Sequence, residues 1–62
     1  MEGTKKRWLT IQGLEDMYDF KESTQAKLRM RKMIPFSKVG NFIRYDVIEI
    51  DKWLENNKIV GA

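Results

Sequence analysis

A small α+β domain, mainly helical, is what this sequence predicts, in the order helix, turn, helix, two-stranded β-hairpin, helix. Three observations predict it. Apolar residues recur at helical spacing near both ends, as Leu14-Met17-Tyr18 and as Val47-Ile50-Trp53-Leu54. An alternating β-branched and aromatic run flanks Gly40-Asn41 between them. Pro35 separates that run from a helix-forming segment before it. A chain of 62 residues holds one domain, and at this size folding buries only about 60% of the unfolded surface. With no cysteine and no histidine, neither disulfides nor thiolate or imidazole metal ligands are available as braces. The core must come from apolar side chains, and two Trp, three Phe and two Tyr within a 42% hydrophobic composition are enough to build one.

Residues 1–7 are polar and basic and read as a flexible N-terminal arm, 8–57 as the domain, and 58–62 as a tail. Thr10 is placed to cap the first helix, with Leu9 before it as a hydrophobic staple. Asp19-Phe20 breaks the pattern as a tight turn, with Phe20 turned into the core. Helix formers resume in the segment from Lys21 to Met33. A wheel that continues the line from Phe20 puts Thr24 and Leu28 inside, Ser23, Ala26, Lys27 and Met30 outside, and Gln25, Arg29 and Arg31 on the flanks. Ile34-Pro35 ends this region, because the residue before proline is pushed out of the helical basin. Two short strands then meet at Gly40-Asn41, both tolerant of positive φ, with Val39, Ile43 and Tyr45 supplying apolar contacts. Asp46 caps the last helix, Glu49 stands three residues on as in a capping box, and the helix runs to about Asn57.

The net charge of +3 is modest, but its distribution is not even. From Lys21 to Arg44 seven cations (Lys21, Lys27, Arg29, Arg31, Lys32, Lys38, Arg44) face one acid, Glu22. From Asp46 onward four acids outnumber two lysines. Lys5-Lys6-Arg7 forms a second basic group. The second helix therefore has a thin inner stripe and a basic outer face. That is a poor design for a core helix and a reasonable one for a helix that meets a polyanion, nucleic acid first among them.

The ordered set of motifs resembles the excisionase-like winged helix-turn-helix family, within the MerR-type DNA-binding domains. The resemblance runs from Arg7 to about Asn57. It rests on Trp8-Leu9-Thr10, Ser23-Thr24, Ile34-Pro35, Lys38-Val39-Gly40, Arg44-Tyr45, and the run Glu49-Ile50-Asp51-Lys52-Trp53-Leu54. The chain departs from the family in having Asp19-Phe20 where many members have Gly-Val. It also has Gln25-Ala26-Lys27 where many have Ile-Tyr-Arg. Lysine lacks the planar fork that reads guanine in two bonds, so base preferences do not transfer.

The resemblance implies a second helix in the major groove of double-stranded DNA and a wing on the adjacent minor groove or backbone. Phosphate contacts are then expected from Lys21, Arg29, Arg31, Lys38 and Arg44, and base reading from Ser23, Gln25 and Lys27, with Thr24 at the edge. The wing tip is Gly40-Asn41, where Gly40 serves the turn and Asn41 faces the duplex. Arg44 is divided evenly between a phosphate and an acid of the last helix. Small excisionases coat adjacent sites and bend DNA for a recombinase, which implies other copies of the chain and an integrase as partners. A small transcriptional regulator is the other role that the resemblance allows.

No catalytic constellation is legible, so the chain reads as a non-enzyme without cofactor or metal. Ser23 has no candidate base, and Glu15-Asp16 reads as a solvated pair. No apolar run approaches the roughly 18 residues of a membrane span, so the expected setting is the cytoplasm. A protein-interaction module using Met30, Met33 and Phe36 is the competing function, although those residues are expected to pack beneath the wing.

Overall fold

In a computed structural model that describes residues 7–59, helix α1 (Ile11–Tyr18) starts where the sequence places its cap. The Thr10 hydroxyl accepts the Gly13 N–H at 2.9 Å, satisfying one of the donors that every helix start leaves open. Gly13 allows this closure, because a Cβ there would lie 3.3 Å from Thr10 Oγ1 and 3.5 Å from the Leu9 side chain. Asp19 ends α1 in the left-handed region at φ 63°, its N–H bonded to the Glu15 carbonyl. Leu14 is fully buried and Tyr18 half-buried, but Met17, expected in the same stripe, is exposed. Half-buried Ile11 takes its place against the core.

Helix α2 (Glu22–Met30) stops three residues short of the predicted end. Lys32 turns to φ 55°, its N–H bonds to the Arg29 carbonyl, and the Met33 N–H reaches back to Leu28. This paired closure is usually built on glycine. A lysine holds the same left-handed conformation at a cost of about 1–2 kcal/mol.

Strands β2 (Ser37–Val39) and β3 (Phe42–Asp46) form the hairpin, with Gly40 at φ 59° in its two-residue turn. Val39 pairs with Phe42, Lys38 with Ile43, and Ser37 with Arg44. A third strand, β1 (Trp8–Leu9), adds to the other edge of β3, so the antiparallel sheet has the order β1-β3-β2 instead of the two strands predicted. Val39, expected to contribute apolar contacts, is 75% exposed. Ile43 and Tyr45, on the opposite face, make those contacts.

Helix α3 (Val47–Asn56) follows β3 without a loop. Asp46 Oδ1 accepts the Ile48 N–H at 3.0 Å, and its Oδ2 accepts Arg7 Nη2 at 3.0 Å. The Val47 N–H donates to the Arg7 carbonyl. Arg7 is therefore a fixed part of the domain, not of a flexible arm; residues 1–6 lie outside the described residues. The Glu49 side chain does not close a capping box but stands 4.0 Å from Lys52. Leu9, Leu14, Ile34, Tyr45, Val47 and Ile50 are the buried core, which the sheet and all three helices surround. Phe20 leans on Trp53 with ring centroids 5.9 Å apart, as the turn reading required. No helix among the described residues is long and apolar enough to cross a membrane.

Two titrating groups tie this packing to pH. The Arg7 hydrogen bonds hold the Asp46 carboxyl below the usual carboxylate range, helped by the Ile48 N–H. Folding favours the carboxylate, so its contribution is present above the unfolded pKa and is lost as pH falls through the lower folded one. Burial, with the 2.6 Å hydrogen bond to Asp51, pushes the Tyr18 hydroxyl from 10.0 up to about 12. Folding here favours the neutral form, so that contribution is lost as pH rises between those two values. Urea midpoints measured against pH should fall at both extremes. Tyr18→Phe should flatten only the alkaline limb, and an unchanged alkaline limb would contradict the assignment.

Candidate nucleic-acid interface

Position along α2 decides which side chains are offered to a partner. Gln25 is 0% exposed. Leu28 and Arg29, three and four residues on, are half-buried, which makes these three the inner stripe. Ser23, Thr24, Ala26, Lys27 and Met30 are all exposed, as are Lys21 before the helix and Arg31 and Lys32 after it. Ser23, Lys27 and Met30, at i, i+4 and i+7, run down the middle of the outer face.

The structure corrects three expectations here. Gln25 cannot read bases: its Nε2 donates to the carbonyls of Phe20 at 2.8 Å and Ile11 at 3.1 Å, locking α2 against α1. Thr24 is not an inner anchor but lies exposed beside Ser23. Arg29, expected on phosphate, is half-buried, and its Nη1 donates to the hydroxyl of fully buried Tyr45 at 2.6 Å. That hydrogen bond makes Arg29 a link between α2 and β3. The cause is one of phase. Phe20 belongs to the turn, not the helix, so a wheel drawn through it is rotated by about one residue.

The remaining expected residues lie on the hairpin. Lys38, Asn41 and Arg44 are exposed, Asn41 in the turn and Lys38 and Arg44 on adjacent strands. The Arg44 guanidinium lies 5.7 Å from the centroid of the Phe42 ring and donates to the Ile43 carbonyl at 2.7 Å. Among the described residues it pairs with no acid of α3; the ion pairs there are Arg7–Asp46 and Lys52–Glu49. An open groove of about 340 Å³ joins the two halves of the surface, with Glu22 on one side and Asn41, Phe42 and Arg44 on the other. Helix and hairpin thus border one concavity.

Sequence reasoning missed the apolar part of this surface. Met30 is 82% exposed and Met33 is also exposed, so neither packs beneath the hairpin, while Phe36 is half-buried. Phe42 is 67% exposed. It pairs directly with Val39 and shares that residue's face; with Val39 expected to supply apolar contacts, the pairing carried no signal of exposure. Among the described residues no group of three or more acids, histidines or cysteines could hold a metal ion. No family model matches the chain, and neither a curated protein nor a solved structure matches it.

Proposed function

We propose that this chain is a sequence-specific double-stranded DNA-binding protein of winged helix-turn-helix design. It lays α2 in the major groove and sets the β2–β3 hairpin on the adjacent groove or backbone. The observation that carries this reading is the outer face of α2. The helix buries only Gln25 fully, and it presents Ser23, Thr24 and Lys27 with Lys21 and Arg31 at its two ends. A major groove admits one helix, and short polar residues near its start reach base edges while the flanking cations meet phosphates. Base reading falls to Ser23, Thr24 and Lys27, and phosphate contact to Lys21, Arg31, Lys38 and Arg44.

A module of this size covers about 600–1,000 Å², so useful affinity calls for copies on adjacent sites. That agrees with the excisionase role to which the sequence resemblance points, with a recombinase as further partner. A small transcriptional regulator needs the same surface. Either role would be carried out in the cytoplasm.

Gel shifts on mixed-sequence duplex at low salt, followed by selection from a random duplex pool, test the reading. Lys27→Ala should weaken binding to the selected site by about 1–3 kcal/mol and narrow the gap between selected and random duplex. Equal losses on both would remove Lys27 from base reading. Absence of any shift at low salt would sink the proposal. It would favour the second reading, a protein-interaction module, to which the exposed Met30 and Met33 give specific support.

A further inference from the structure

The hairpin carries a feature that groove reading by α2 does not use. Alternation along β2 and β3 puts Lys38 and Ile43 on one face and Ser37, Val39, Phe42 and Arg44 on the other. Ile43 packs against the core, so the second face looks away from it. Its two apolar members, Val39 and Phe42, form the last pair before the turn and are 75% and 67% exposed. A two-residue turn keeps this apolar tip narrow. From Ser37 to Tyr45 there are two cations and no acid, and one of those cations, Arg44, lies over the Phe42 ring.

An aromatic wedge backed by a β-branched residue, with a cation on the same face, suits a stacked polyanion. Base steps offer the apolar ring a place between them, and a neighbouring phosphate offers a partner for Arg44. One open groove is lined by Glu22 and by Asn41, Phe42 and Arg44, which sets this tip beside the start of α2. We propose that Phe42, supported by Val39, wedges into a base step beside the α2 site and kinks the duplex. This rests on the DNA-binding reading above. Side chains that enter base steps in this way kink DNA by about 20–90°.

Energy transfer between dyes on the two ends of a duplex of about 30 base pairs, carrying the pool-selected sequence, reads the bend. The wild-type chain should raise the transfer on binding. Phe42→Ala should bind within about tenfold of wild type, because phosphate contacts dominate affinity, yet give no rise. Phe42→Leu, which keeps an apolar wedge, should restore most of the rise, and should restore binding too if the alanine variant binds too weakly to measure. Phe42 is largely exposed, so unchanged circular dichroism is expected for both variants. Full bending by Phe42→Ala, or binding by wild type with no rise, would overturn the wedge while leaving DNA binding intact. Failure of the wild type to bind at all would overturn both. An apolar tip that serves a protein partner predicts unchanged bending by Phe42→Ala.

Discussion

Gln25→Glu, which exchanges one amide nitrogen for oxygen, is expected to unfold most of the chain at neutral pH. Gln25 is fully enclosed, and its amide nitrogen donates to the Phe20 and Ile11 carbonyls. A carboxylate there would set negative oxygens against two carbonyl oxygens and lose its hydration, a penalty of several kcal/mol. A core in a domain this small rarely supplies more than about 3–5 kcal/mol, so little folded protein would remain. Protonation restores one donor, so the variant should regain structure as pH falls toward 5, where wild type changes little. Gln25→Leu keeps the volume but strands the Phe20 carbonyl, and should lose only about 1–3 kcal/mol. Circular dichroism against urea and pH orders the three proteins. A stable Gln25→Glu at pH 7 would mean that the side chain is not enclosed.

The second large effect concerns affinity. Removing Lys21 and Arg31 together, each to alanine, should lower the slope of log affinity against log salt by about 1.8, at about 0.9 for each phosphate left without its cation. At 0.1 M salt the same change corresponds to an affinity lower by on the order of sixtyfold. Both side chains are exposed at the ends of α2, and Lys21 makes no capping hydrogen bond through its side chain, so thermal stability should hold. Filter binding on one duplex across a salt series makes the measurement. An unchanged slope would show that the two ends of α2 do not meet phosphate.

The two outer helices were readable because their apolar spacing is strong and their caps, Thr10 and Asp46, are of preferred types. The hairpin was readable from Gly40-Asn41, whose chemistry is local. What escaped was set by tertiary structure. Strand β1 is two residues long and carries no periodicity; only pairing with Tyr45 and Asp46 defines it. Arg7 looked like part of a loose basic cluster until Asp46, 39 positions away, held it. Gln25 carries no apolar mark, so its burial follows from two backbone carbonyls that meet it, Phe20 in the α1–α2 turn and Ile11 at the start of α1. The early stop of α2 is equally opaque, because a lysine gives no sign of the left-handed turn at residue 32. In the proposed interface, the cations were visible as charge, but the two sulfur-bearing side chains near the end of α2 were not separable from core residues by composition.

The direct passage from β3 into α3 has a mechanical result. Asp46 is at once the last residue of the central strand and the cap of the helix, and no slack residue lies between them. The hairpin therefore lacks a hinge of its own and acts as one arm of a lever whose other arm is α3. Amide protons of β3 and of the first turn of α3 should exchange with solvent in a single cooperative opening. A load placed on the hairpin tip passes into α3 with no joint between them to absorb it.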